Sequence, residues 1–163
     1  MAKTDLTAER LRELLHYDPE TGVFIWRVRR GMALAGSVAG NRRKNGRIAI
    51  YVDDVEHKAA RLAWLYVHGV HPEKFIDHIN GDPGDDRLSN LREVTNSENM
   101  QNQRRARTNS SSGLLGVVKN RGKWQATIRL NGAGKYLGTF KTPEEAHQAY
   151  LEAKRKFHSA GTI

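Results

Sequence analysis

Apolar residues recur at helical spacing in two parts of the chain and in short β-rich runs between them. Leucines at near-helical intervals predict an amphipathic helix that starts near Thr7 and ends before Pro19. Residues 58–68 (KAARLAWLYVH) predict a second helix with an apolar side. The β-branched and aromatic residues of 23–26 and 47–52 predict strands. The N-terminal part is therefore expected to be a helix and a small sheet followed by a supporting helix.

The middle of the chain has the pattern of a hairpin followed by a helix. Residues 75–79 and 91–95 predict two short strands, and the polar run 80–86 predicts the loop between them. Thr95 with a glutamate three residues later fits a capping box, so a helix is expected to run from there through Asn99. The predicted order is β, β, α.

The last third of the chain predicts a separate module. Residues 108–113 (TNSSSG) have the composition of a flexible linker. Beyond it, 114–119, 123–130 and 136–140 predict three strands, and 143–157 predicts a helix with acids in its first turn and basic residues in its last. This order is βββα.

The number and distribution of charged residues predict the kind of molecule that the protein binds. The chain has 27 Lys and Arg against 18 Asp and Glu, a net charge of +9. Residues 22–52 and 101–135 contain basic side chains and no acid. Two basic tracts around a mixed centre indicate two surfaces that hold a nucleic-acid backbone, with charge for solubility as the alternative.

Cysteine content and hydropathy narrow the class of protein further. With no cysteine, the chain has no disulfide and no Cys-ligated zinc site. Any metal would be held by oxygen and imidazole ligands, which favours Mg²⁺ or Mn²⁺. The sequence shows neither an apolar run near 18 residues nor a hydrophobic N-terminal stretch, so a soluble, cytoplasmic protein with no membrane partner is expected.

One constellation of polar residues lies on the predicted β, β, α segment. Asp77 and His78 end its first strand, Asn90 precedes its second strand, and Asn99 lies in the first turns of its helix. A hairpin with a helix packed on it would bring these side chains around a space that fits a phosphodiester.

Each residue type in the constellation has a chemical use there. Histidine has an ordinary pKa of roughly 6.5, so a neutral His78 can take a proton from water as a general base. A carboxylate and an amide oxygen are hard ligands suited to one Mg²⁺ or Mn²⁺ ion, a role that fits Asp77 and Asn99. Asn90 is better placed to tie the hairpin loop and orient His78.

Three loop acids, Asp82, Asp85 and Asp86, leave two interpretations open. They could hold a second ion, or they could belong to a solvated hairpin loop. The solvated loop is the favoured interpretation.

The segment 76–103 (IDHINGDPGDDRLSNLREVTNSENMQNQ) resembles the HNH motif of phage-type HNH and homing endonucleases. Upstream runs such as YDPETGVFIWR, AGSVAG and RLAWLYVHG resemble the same enzymes. The resemblance implies a ββα-metal core, metal ligands at Asp77 and Asn99, a general base at His78 and an orienting residue at Asn90. The family often has histidine where this chain has Ala60, so any contact from that side chain is lost here.

The segment 113–157 resembles the AP2 DNA-binding domain, through GLLGVVKNRGKWQATIRLNG and KYLGTFKTPEEAHQAY. A three-stranded sheet can lie in the major groove and present basic and aromatic side chains to DNA. Alternation in 123–130 places Arg129 on the exposed face and Trp124 on the core face. Val118 replaces the arginine often found there, which puts an inherited base preference in doubt.

The sequence as a whole thus predicts an α+β protein with an HNH domain over 1–105 (core about 73–105), a linker over 106–112 and an AP2-like domain over 113–163. We expect a metal-dependent DNA endonuclease, encoded by a phage or mobile element, that acts as a monomer on double-stranded DNA in the bacterial cytoplasm. A non-catalytic DNA-binding regulator with an HNH-shaped fold is the alternative, and an RNA-binding protein ranks third. The candidate DNA contacts are Arg27, Arg29, Arg42, Arg43, Arg61, Arg104, Arg105, Lys119, Arg121, Lys123, Arg129, Lys135 and Tyr136.

Overall fold

The computed structural model describes residues 5–103, 106, 109–130 and 132–158. The chain forms two compact units, Met1–Glu93 and Val94–Ile163. Each unit contains helices and antiparallel strands, in agreement with the predicted α+β class. Within the described ranges, none of the helices has the length and apolar character of a membrane span.

The first unit begins with a short helix and a β-hairpin. Helix α1 (Ala8–Leu14) starts at Thr7, whose hydroxyl accepts a hydrogen bond from the Arg10 amide at 3.2 Å. As predicted, this helix ends before Pro19, but β1 (Leu15–Asp18), which pairs with β2 (Val23–Trp26), had no counterpart in the sequence prediction. Leucine and tyrosine at alternate positions of β1 are buried, which is the strand period.

A three-stranded sheet and a helix complete the main core. The sheet has the order β3 (Asn41–Arg42), β4 (Ile48–Val52) and β5 (Val55–Lys58), and β5 had no counterpart in the sequence prediction. Helix α2 (Ala59–His68) ends at Gly69, which adopts a left-handed φ of 77°. The largest fully buried side chains of this core include Leu11, Leu15, Tyr17, Phe24, Ile50, Leu62 and Leu65.

The predicted hairpin is present. Strands β6 (Phe75–His78) and β7 (Leu91–Val94) form a two-stranded sheet, and a short 3-10 helix (Leu88–Asn90) leads into β7. The amide of Ile79 donates to the carbonyl of Asn90 at 2.9 Å just beyond the paired residues. The intervening residues form the loop that carries the acids.

The second unit contains the predicted βββα order after a short helix. Helix α3 (Asn96–Gln101) is followed by β8 (Val117–Asn120), β9 (Lys123–Leu130) and β10 (Ala133–Phe140), with β9 central, and then by α4 (Pro143–Phe157). Two small clusters, built on Val117, Ala126 and Ala146 and on Ile128, Tyr150 and Ala153, lie between the sheet and α4. Both helices start with the capping boxes that their Thr-x-x-Glu sequences favour.

Candidate active site

The end of β6 carries two buried polar side chains in succession. Asp77 is 8% exposed and His78 is 6% exposed. Both faces of the strand are therefore covered at its end, which an alternating surface strand would not show. Because a buried polar group is costly unless it is hydrogen-bonded, the partners of this pair define the site.

Asp77 is held by a cross-strand arginine. Arg92, on β7, donates from Nε at 3.1 Å and from Nη2 at 2.9 Å to Oδ2 of Asp77. The side chain of Arg92 is 27% exposed and that of Asp77 is 9% exposed. The guanidinium therefore fixes the orientation of the carboxylate, and Arg92 is a site residue that the sequence reasoning missed.

His78 is held by an acid of the loop. Its Nε2 lies 2.9 Å from Oδ1 of Asp86, and the two side chains are only 7% and 3% exposed. For Asp86 the favoured interpretation as a solvated loop residue is wrong, because its carboxylate turns inward to the imidazole. Asp82 remains exposed, so three acids of similar sequence context have different environments. The sequence pattern of these three acids does not show which of them is buried.

Asn90 joins the two ends of the loop. Its Oδ1 accepts from the amide of Asn80 at 2.9 Å, and its Nδ2 donates to Oδ1 of Asn80 at 3.1 Å and to the carbonyl of Asp85 at 2.7 Å. Asn90 is 7% exposed, so the amide replaces water for these groups. Its role in orienting His78 stays a prediction.

The other loop acid makes an ion pair near the surface. Arg87 donates from Nε at 2.7 Å and from Nη2 at 2.6 Å to the carboxylate of Asp85. These hydrogen bonds lower the pKa of Asp85 to about 2. On the neighbouring hairpin, burial raises the pKa of the Tyr17 phenol.

Asn99 lies on α3, in the second unit, and is half-buried. Its convergence with Asp77 and His78 stays a prediction. Among the described residues, no group of three or more His, Asp and Glu side chains is arranged to hold a metal ion. The predicted ligand pair, one carboxylate and one amide, is not a group of that kind.

The candidate DNA contacts of the first unit differ in what they already bind. Arg27, Arg29, Arg42 and Arg43 are exposed. Arg42 pairs with Asp82 at 3.5 Å and Arg43 pairs with Glu56. Arg61 is half-buried and donates at 3.0 Å to the carbonyls of Pro72 and Lys74, so it already fastens the chain between α2 and β6.

Strand register sorts the candidate contacts of the second unit by face. Ala126 and Ile128 face α4, so Lys123, Thr127 and Arg129 of the same strand face away from it. Tyr136 is paired with Thr127 and therefore shares this open face.

The register places two of the lysines on the other face. Lys119 pairs with Trp124, and its Nζ lies 5.7 Å from that ring. Lys135 pairs with Ile128, and its Nζ lies 4.5 Å from the ring of Phe157 at the end of α4. Trp124 itself is half-buried against the core, as its alternation predicts. Arg121 lies in the β8–β9 turn with φ of 48°, and Arg104 and Arg105 lie outside the described residues.

Comparison with known proteins agrees with the position of this site. A family model described as HNH endonuclease matches residues 57–101, the segment that includes β6, the loop and β7. This match covers less than half of the chain and indicates a nuclease or DNA-binding function for that segment. Protein 3.8 of Escherichia phage T7 is 38% identical over 72 residues, which cover 42% of this chain and 59% of that protein.

Two plant proteins are also similar. The AP2-like ethylene-responsive transcription factor CRL5 of Oryza sativa subsp. japonica is 36% identical over 122 residues, covering 68% of this chain and 18% of that protein. The factor ANT of Arabidopsis thaliana is 29% identical over 131 residues, covering 76% and 24% respectively. The chain thus spans less than two thirds of the length of each of these relatives. No solved structure matches the chain.

Proposed function

We propose that this chain is a metal-dependent DNA endonuclease of the phage HNH and homing type. One observation carries the proposal: the segment that matches the HNH endonuclease model contains a buried aspartate and histidine side by side, each held by a charged partner. Buried, hydrogen-bonded polar groups at a strand end are the arrangement that positions a reacting group. The similarity to a phage protein supports the phage origin.

In the proposed reaction, His78 is the general base. It takes a proton from water, the water oxygen forms a bond to phosphorus, and the bond from phosphorus to the 3′ oxygen breaks. The leaving oxygen then takes a proton from solvent. Asn90 holds the loop that faces His78, and general-base catalysis of this kind contributes about 10²- to 10⁴-fold to the rate.

The donor set fits one hard divalent cation. Asp77 and Asn99 would hold it, since a carboxylate and an amide oxygen are hard ligands of the kind that Mg²⁺ and Mn²⁺ accept. When bound, Mg²⁺ or Mn²⁺ would neutralise the negative charge that develops on the phosphate oxygens. Arg92 keeps the Asp77 carboxylate in one orientation for this purpose.

Two basic surfaces would hold double-stranded DNA, the arginines of the first unit and the open sheet face of the second. On the second, Lys123, Arg129 and Tyr136 are the proposed contacts, and the similarity to proteins named AP2-like transcription factors supports a DNA-binding module there. A monomer on DNA remains our proposal for the assembly.

The same plant relatives favour a second candidate, a DNA-binding regulator that does not cut. Incubation of the full chain with supercoiled plasmid and a series of divalent ions separates the two. The endonuclease produces nicked or linear DNA with Mg²⁺ or Mn²⁺. A regulator binds the plasmid and leaves it supercoiled with every ion, and that result would overturn our proposal.

Substitutions assign the roles. We expect Asp77→Ala and His78→Ala to lower the cleavage rate by about 10²- to 10⁴-fold while salt-sensitive DNA binding persists. His16→Ala, at an exposed position of β1, is the matched control and should cut like the wild type. If His78→Ala also cuts at the wild-type rate, then His78 is not the base.

A further inference from the structure

We propose that Asp86 is the positioning residue of His78, holding the imidazole in one orientation and in the tautomer that carries its proton on Nε2. This inference rests on the proposed function, because it takes His78 as the base of the cleavage reaction. It assigns a role to a loop acid for which the sequence left open a second ion site or a solvated loop, with the loop favoured.

The geometry of the pair defines the direction of the hydrogen bond. A carboxylate only accepts, so at 2.9 Å the Nε2–H of His78 must donate to Oδ1 of Asp86. Both side chains are almost fully buried, where a hydrogen bond to a charged acceptor is stronger than one in water. The lone pair of the ring is then on Nδ1, and that nitrogen is the one that receives the proton from water.

The pair also suits the charged state that the reaction creates. Once Nδ1 has taken the proton, the ring is an imidazolium whose Nε2–H still donates to Asp86. A buried carboxylate in this position stabilises the positive charge and prevents the ring from rotating. Asp86 therefore acts on the reaction through His78 and need not contact the DNA.

The backbone that carries Asp86 is fixed by the hairpin of β1 and β2. The hydroxyl of Tyr17 donates to the carbonyl of Asp86 at 2.7 Å in a buried position. The amide of Leu88 donates to the carbonyl of Pro19 at 3.1 Å.

Gly22 brings the same hairpin against the loop. A Cβ built on Gly22 would lie 2.6 Å from the carbonyl carbon of Asp86 and 2.5 Å from the amide of Arg87, and Gly22 has a φ of 74°. Only glycine allows this approach. Tyr17, Pro19 and Gly22, which lie outside the matched residues 57–101, thus help to fix the loop that carries Asp86.

The first experiment is spectroscopic and does not require cleavage. In the ¹⁵N-histidine-labelled full chain, His78, identified by its absence in His78→Ala, should carry its proton on Nε2 and not on Nδ1 when the ring is neutral. Asp86→Asn should change the populations of the two tautomers. A wild-type His78 protonated on Nδ1 alone would overturn the inference, whether or not the protein cuts DNA.

The second experiment separates rate from binding. Asp86→Asn should lower kcat by at least about tenfold, with KM and DNA affinity unchanged, because Asp86 acts on the orientation and charge of the base and not on DNA binding. Asp85→Asn makes the same change at a neighbour that contacts Arg87 and Asn80 instead of His78, and should keep its kcat. Thermal unfolding of both variants verifies that they are folded.

A third measurement distinguishes positioning from metal binding. A positioning role predicts that Asp86→Asn needs the same Mg²⁺ concentration for half-maximal cutting as the wild type. A large increase in that concentration would identify Asp86 as a metal ligand and overturn the inference. So would an unchanged kcat in Asp86→Asn. Absence of cutting by the wild type would refute the proposed function alone, because the tautomer measurement still decides the role of Asp86.

Discussion

The β6–β7 hairpin of the first unit and the β8–β10 sheet of the second use charge in opposite ways. The hairpin buries Asp77, His78 and Asp86, and gives the two acids specific basic partners. The open face of the sheet presents Lys123 and Arg129 to solvent. Buried polar groups have a fixed orientation, and substituting them costs stability. Exposed basic groups contribute to the binding of a polyanion mainly through their number of positive charges.

This contrast predicts how each region responds to substitution. Removing one member of a buried pair leaves its partner in a position where water cannot replace it. Removing an exposed basic side chain costs little stability, because solvent replaces its contacts. Substitutions in the hairpin should therefore change the free energy of unfolding and the cleavage rate. Substitutions in the sheet should change the affinity for DNA and its dependence on salt.

The largest effect is expected for Arg92→Ala. The substitution removes both guanidinium hydrogen bonds to the buried Oδ2 of Asp77, so we expect a loss of about 1.5–3 kcal/mol in the free energy of unfolding. Urea denaturation followed by fluorescence measures it. Arg87→Ala removes a similar pair of guanidinium hydrogen bonds, to the more exposed Asp85, and should lower the free energy of unfolding by less than about 1 kcal/mol. Equal losses in the two variants would remove the distinction between a buried and an exposed pair.

The second prediction compares the two faces of the sheet. Arg129→Gln and Lys135→Gln each remove one positive charge, but Arg129 lies on the open face and Lys135 lies over Phe157 of α4. We expect Arg129→Gln to weaken binding to duplex DNA. It should also reduce, by about 1, the slope of the logarithm of the binding constant against the logarithm of the salt concentration, while Lys135→Gln changes this slope less. Fluorescence anisotropy over a salt series measures both. Identical slopes would show that net charge alone, without regard to face, determines binding.

The sequence predicted regular elements well where one periodicity dominates. Helix α2, the β6–β7 hairpin and the βββα order have apolar positions that only one element type explains. Strand β1 was missed because Leu14 and Leu15 fit the helical spacing. Leu15 and Tyr17 also fit a strand, and pairing with β2 decided between the two. Strand β5 was missed because it follows a two-residue turn at Asp53 and Asp54 that has no glycine.

The candidate site was predictable in its residue types and less so in its partners. Asp77 and His78 stood out because of their spacing to Asn90 and Asn99 and their resemblance to the HNH motif, and both are buried. Arg92 and Asp86 were missed, because cross-strand register and the direction of a loop side chain depend on tertiary packing. The carbonyl of Asp86 accepts a hydrogen bond from Tyr17, which is 69 residues away in the chain. The spacing of residues along the sequence does not reveal such a long-range contact.

The smallest expected effect is the acid response of Asp85, the intermediate case between the buried pairs and the exposed charges. Because Arg87 lowers the pKa of Asp85 to about 2, the pair stabilises the fold fully above about pH 4 and loses this contribution as the pH falls towards 2. Asp85→Asn should therefore cost less than about 1 kcal/mol at pH 5, since Arg87 is 49% exposed, and less still at pH 2.5. Urea unfolding at the two pH values measures the difference, with Asp54→Asn, in an exposed turn, as the control for loss of a carboxylate. A cost that is the same at both pH values would mean that the carboxylate charge of Asp85 contributes nothing to its pairing with Arg87.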